Sequence, residues 1–111
     1  MSKAHKYHAK PTVVDGIRFA SQKEARRYQE LKLLEKAGEI RDVELQRKFP
    51  LYAGDGSGRF RLVGHYIADF MYRQTRDNLP VVEDVKGFKT PLYRWKKKHV
   101  EAQYGLTITE V

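Results

Sequence analysis

The sequence predicts an α+β fold, an α/β sandwich of one small sheet and two helices. Three observations predict it. VELQRKFPL alternates apolar and polar residues, the pattern of an edge strand; FRLVGHYIADFMY is apolar on both faces, the pattern of a central strand, and the spaced valines of VVEDVKG mark a short buried one. SQKEARRYQELKLLEKAG and TPLYRWKKKHVEAQYG carry helix start and stop residues. These segments follow one another as hairpin, helix, three strands, helix, strand, without repeats or low-complexity stretches.

Residues 1–11 are basic and polar up to Pro11 and are expected to form a flexible tail, leaving 12–111 as a single domain. His5 and His8 stand at a spacing that could bind a metal on a helix, although a tail touching phosphates is the simpler reading. In TVVDGIRF, Asp15-Gly16 between β-type residues marks a tight hairpin, because both central positions of such a turn need positive φ. Ser21 followed by Glu24 fits a capping box at the start of the first helix, and Gly38 fits the position just past its end. The next strand places Val43, Leu45, Phe49 and Leu51 on one face, with Glu44, Gln46 and Lys48 on the other. Its Pro50 has no N–H for a ladder, which puts it at a sheet edge or strand end. AGDGSG is a turn with no phosphate-loop Lys-Ser/Thr after it. The second helix opens with Thr90 as cap and Pro91 at its first position. Its Leu92, Trp95, His99 and Ala102 share one side, expected to face the core, and Arg94, Lys97 and Lys98 face outward. LTITEV closes the chain as a short strand.

The 111 residues hold 22 Lys+Arg against 14 Asp+Glu, a net charge of +8 that points to a polyanionic partner, nucleic acid first. The absence of cysteine excludes disulfides, thiolate zinc sites and a cysteine nucleophile. No apolar run approaches the length of a membrane span, and no secretory signal is visible at the N-terminus, so an intracellular, cytoplasmic protein without membrane contact is expected.

VVEDVKG raises the functional question, because a buried strand carries Asp84 and Lys86 on one face, and buried charge is costly unless paired or metal-bound. If Thr75 to Asn78 form the loop between the two central strands, the register sets Asp69 opposite Asp84, with Met71 opposite Val82 on the same face. The other face then holds Ala68 opposite Val85 and Tyr72 opposite Val81, and Glu83 points there too. Two opposed carboxylates need a proton or a cation between them. Oxygen ligands suit Mg²⁺, and Lys86 could reach a phosphate or an attacking water. Glu24, on the helix face turned to the sheet, would complete such a site; its plain alternative is the capping partner of Ser21. An Asp84–Lys86 or Asp69–Lys86 ion pair would explain the same residues without any catalysis.

Glu24 in a first helix, Asp69 in YIADF, and Asp84-Val85-Lys86 in VVEDVKG resemble the PD-(D/E)XK nuclease superfamily. The wording is similar to small phage-encoded endonucleases and to Holliday junction resolvases, over about nine-tenths of the chain. Ala68 stands before Asp69 where the motif has proline. The resemblance implies a restriction-endonuclease-like core and a metal-dependent endonuclease hydrolysing DNA phosphodiesters, structure-specific on branched DNA, in phage recombination or genome processing. It implies that Asp69, Asp84, the Val85 carbonyl and Glu24 hold Mg²⁺, with Mn²⁺ able to substitute, and that Lys86 orients water and stabilises the developing charge. Gln46, Tyr93 and Lys96 are candidate supports of the site.

Lys6, Lys10, Lys89, Arg94, Lys97 and Lys98 bracket this site as candidate DNA contacts. The chain has no separate recognition module, so shape-based binding of branched or duplex DNA is expected. Symmetric cleavage of a junction would need a homodimer. A non-catalytic basic nucleic-acid binder, or a subunit active only inside a larger complex, are the alternatives.

Overall fold

A computed structural model describes residues 10–111, and the expectations for Lys6, His5 and His8 fall outside them. The chain runs β1 (Thr12–Val14), β2 (Ile17–Phe19), α1 (Gln22–Lys36), β3 (Ile40–Gly54), β4 (Phe60–Gln74), β5 (Pro80–Asp84), α2 (Pro91–Tyr104) and β6 (Ile108–Glu110). The architecture is α+β, in the expected order. β1 and β2 form a separate hairpin, while the main sheet runs β3-β4-β5-β6, antiparallel except for the parallel β5–β6 pair.

Local chemistry explains the elements. Asp15 and Gly16 both take positive φ, 53° and 74°, in the two-residue turn joining Val14 to Ile17. Ser21 accepts the Glu24 N–H at the start of α1, and Gly38, at φ 81°, follows its end. Thr90 accepts the Tyr93 N–H at the start of α2, and Gly105 ends that helix in the left-handed region. The β4–β5 register is the expected one, Met71 opposite Val82 and Tyr72 opposite Val81.

The helices pack on opposite faces of the sheet. On one, Ala25, Tyr28 and Leu31 of α1 meet Phe19, Ile40, Phe70 and Tyr72; on the other, Val100 of α2 meets Phe49, Leu51, Tyr66, Ala68, Val82 and Ile108. Two expectations are corrected here. Val43 and Leu45 pack with the α1 cluster while Phe49 and Leu51 belong to the α2 cluster, so β3 does not keep one apolar face. Gln46 lies between them at φ 53°, and the long ribbon of β3 and β4 twists enough to hand its apolar side from one helix to the other.

The second correction concerns α2. Leu92 is 62% exposed and Trp95 73%, and Ala102 is also exposed, so the stripe assigned to the core faces outward. The helix instead turns Tyr93, Lys96, Lys97 and Val100 inward, because its sheet-side neighbours include Glu110, which draws in a phenol and a lysine as well as apolar groups.

β3 is the edge strand that Pro50 foretold. Side chains of α2 occupy its backbone there. Gln103 accepts the Tyr52 N–H and donates to the Pro50 carbonyl, Tyr104 donates to that same carbonyl, and His99 lies 2.9 Å from the Tyr52 carbonyl.

Candidate active site

The two strand acids meet where β4 and β5 separate. The ladder ends at Phe70 opposite Glu83, one pair before the acids, so Asp69 and Asp84 are not an ordinary cross-strand pair. Instead each carboxylate takes a backbone N–H of the other strand: Asp84 Oδ1 accepts from Asp69 N at 3.0 Å, and Asp69 Oδ2 accepts from Val85 N at 2.9 Å. β5 also stops at Asp84, short of the expected Gly87. Beyond it the backbone bonds to the C-terminus, Val111 N to the Asp84 carbonyl and Lys86 N to the Val111 carbonyl.

Asp84 is 1% exposed, and its Oδ2 has no hydrogen-bond partner among the described residues. Burial raises its pKa above the ordinary value, while the Asp69 N–H and Lys86 pull the other way. Glu24 is buried too, and its pKa rises to about 7, first through burial and then through the Asp69 charge, with Lys86 opposing. Its N–H donates to the Ser21 hydroxyl, and its carboxylate feels both the Ala20 backbone N–H and the charges of Asp69, Asp84 and Lys86.

Gln46 joins the set. Its amide nitrogen lies 3.4 Å from both Glu24 Oε2 and Asp69 Oδ1, long contacts that bridge the helix acid to the strand acid. Positive φ at a non-glycine residue is uncommon and costs about 1 kcal/mol or more, the kind of strain found at functional positions. Among the described residues no group of three or more His, Asp or Glu side chains is arranged so that it could hold a metal ion.

Lys86 holds its ammonium 4.3 Å from the centre of the Tyr93 ring, a cation–π contact, and the Lys23 ammonium holds the Lys86 carbonyl at 3.1 Å. A cleft of about 580 Å³ opens over these groups, with Glu24, Asp69, Val85 and Lys86 in its wall and Lys23 and Arg26 beside them. The last two, exposed in SQKEARRY, were not singled out in the sequence; their signal is that they flank Glu24.

The remaining candidates divide. Tyr93 donates its hydroxyl to Glu110, which with burial raises its pKa. Lys89 and Lys97 are paired with Glu110, at 2.9 and 3.5 Å, and Lys89 and Tyr93 hold the Glu110 pKa down at about 2. Those two lysines are therefore partly neutralised rather than open to phosphate. Lys97, not Lys96, is the α2 lysine whose charge reaches Asp84; Lys96 is half-buried on the same helix. Lys10, Arg94 and Lys98 are exposed.

The buried ion pair that VVEDVKG demanded is a different one. Glu83, 1% exposed, is held by Arg27 through Nε at 2.9 Å and Nη2 at 2.7 Å, and Tyr72 donates its hydroxyl to the same carboxylate. Asp84 and Lys86 are thereby left without that structural duty.

The fold and site describe an α+β protein with converging acids and a lysine at a strand fork. The chain belongs to the family described as Protein of unknown function (DUF1064), which matches residues 4–109. No curated protein and no solved structure matches it.

Proposed function

We propose that the protein is a metal-dependent endonuclease of the PD-(D/E)XK type, with a restriction-endonuclease-like core, hydrolysing phosphodiester bonds in branched DNA. The observation that carries this reading is the unpartnered Oδ2 of buried Asp84, whose other oxygen accepts the N–H of Asp69; Asp69 in turn lines one cleft with Glu24 and Lys86. A buried carboxylate oxygen without a partner costs about 1–3 kcal/mol or more, and a cation removes that cost. The donors are oxygens only, which suits Mg²⁺, with Mn²⁺ able to substitute. Asp69, Asp84, the Val85 carbonyl and Glu24 would hold it. Bound there, the metal would neutralise the scissile phosphate and lower the pKa of water.

The chain's own groups do the rest. Lys86 would direct its charge to where negative charge grows on the phosphoryl oxygens, and its contact with the Tyr93 ring restrains the long side chain. Glu24, with a pKa near 7 in the metal-free site, gives up its proton readily at neutral pH and so becomes available as a ligand. Lys23 and Arg26 draw the DNA backbone to the cleft mouth. Two copies acting together would cut a junction symmetrically.

The test is cleavage of an end-labelled four-way junction and its matched duplex with Mg²⁺ or Mn²⁺, wild type against Asp84→Ala. Paired cuts in the junction that vanish in the variant are expected. DNA binding without cleavage by either protein overturns the reading in favour of a non-catalytic binder or a subunit lacking its partner.

A further inference from the structure

The face of α2 that the sequence assigns to the core is exposed, and so is the distal arm of the β3–β4 hairpin. Trp95 is 73% exposed on α2, and Phe60 is 74% exposed on the arm. One helical turn beyond Trp95, His99 and Ala102 join Tyr52 and Phe60 in lining a cleft of about 640 Å³. Tyr52 pairs with Leu62, and Gly54 with Phe60, so these residues stand on the same side of the arm.

The surroundings identify what the aromatic groups would meet. No carboxylate lines the cleft. Phe60 sits between Arg59 and Arg61 in sequence, and Trp95 follows Arg94 and precedes the lysines 96–98. Arg59, Arg94 and Lys98 are exposed and have no ion pair among the described residues, whereas Arg61 faces Asp55 at 3.6 Å. A second copy of this +8 chain would bring like charge to the patch. Aromatic rings set among cations that outnumber the one acid beside them, Asp55, instead suit a polyanion whose own flat apolar groups are free to stack. Duplex DNA hides those faces inside its base stack, and a single strand offers them.

We propose that the cleft between α2 and the hairpin arm, together with the exposed α2 face one turn before it, is a binding site for single-stranded DNA, with bases stacking on Phe60 in the cleft and on Trp95 outside its wall, and phosphates on Arg59, Arg94 and Lys98. α2 runs from Thr90 at the wall of the acidic cleft to Gln103 at this one. Thirteen residues of helix span about 20 Å, the reach of a few nucleotides of unpaired strand. The site would therefore hold an unpaired strand a short way from the scissile bond, which selects branched over plain duplex substrate. That last step rests on the nuclease reading; the binding itself does not.

Trp95 is the sole tryptophan and reports on its own site. Its emission is followed in EDTA at low salt while an oligothymidylate, or a duplex of equal length, is added. Quenching by the single strand at concentrations where the duplex has little effect is expected. By anisotropy of a labelled oligothymidylate, Phe60→Ala and Trp95→Ala are each expected to weaken binding by about 5- to 150-fold, the range for loss of one stacked base, with unchanged melting temperatures. Equal quenching by duplex, undiminished binding by both variants, or a blue shift with protein concentration alone, which means that a second copy covers the patch, would overturn the proposal. No cleavage is read, so a failure of the nuclease reading leaves these outcomes distinct.

Discussion

Glu24→Gln isolates the electrostatic strain of the acidic cluster. The Glu24 carboxyl has a pKa of about 7 against an ordinary 4.5, because ionising it means burying charge beside Asp69 and Asp84. Folding raises this pKa, so the native state holds the proton more tightly than the unfolded chain does. The cost is absent below about pH 4.5, accumulates as pH rises, and is complete above about pH 7. The full shift corresponds to about 3 kcal/mol. The side chain shares the cleft with solvent, and screening there reduces this to roughly 1–2 kcal/mol. In a chain of this length that is about 5–12 °C in melting temperature. Glutamine keeps the shape, the cap through its backbone N–H, and an acceptor for Gln46, so the charge alone is removed.

Thermal unfolding followed by circular dichroism in EDTA gives the measurement. Near pH 5 the variant and wild type should melt within a degree or two, and by about pH 8 the variant should lead by about 5–12 °C. Titrating groups away from this cluster contribute equally to both proteins and cancel in the difference. Millimolar Mg²⁺ should then raise the wild type more than the variant, since the ion binds only the folded site. A gap of the same size at both pH values would refute the reasoning, because it would show that Glu24 bears no ionisation cost from its neighbours.

Two further outcomes follow from other residues. Arg27→Leu strands Glu83 as a buried, unpaired charge and should cost about 3–5 kcal/mol in urea unfolding, while the double change Arg27→Leu with Glu83→Leu should recover most of it; a single-variant loss below about 1 kcal/mol contradicts the assignment of this pair. Lys86→Ala should slow cleavage of the junction by roughly 10²–10³-fold yet leave the Mg²⁺-induced rise in melting temperature nearly intact, and loss of that rise would move Lys86 from charge stabilisation to holding the site together.

The elements and the central register were legible because local chemistry decides them. Asp15-Gly16, the Ser21 and Thr90 caps and the length of the Thr75–Asn78 loop each depend on a few adjacent residues, and the loop alone fixes which residues of β4 and β5 face each other. The same register brings Asp69 and Asp84 to one place. What it could not give was the fork, where side chains replace ladder bonds, since that depends on how the C-terminal residues draw β5 away. Gln46 was only half legible, because a positive φ within a strand leaves no mark in alternation. The α2 stripe misled for a different reason. Helical spacing of apolar residues identifies a face without saying what covers it, and here Glu110 recruited Tyr93 and Lys97 to the inner side. Lys89 and Lys97 were legible as cations but not as partners of an acid near the far end of the chain.

The backbone of β3 at Pro50 and Tyr52 is closed by His99, Gln103 and Tyr104, residues made some fifty positions later. During synthesis the β3–β4 ribbon is therefore complete well before its outer border has a cover, and for that interval it offers open amide and carbonyl groups to any neighbouring nascent chain. A product ending before Pro91 would keep that border open permanently. Such a product would expose a strand edge of the kind that pairs with other chains, and α2 is what covers it in the folded protein.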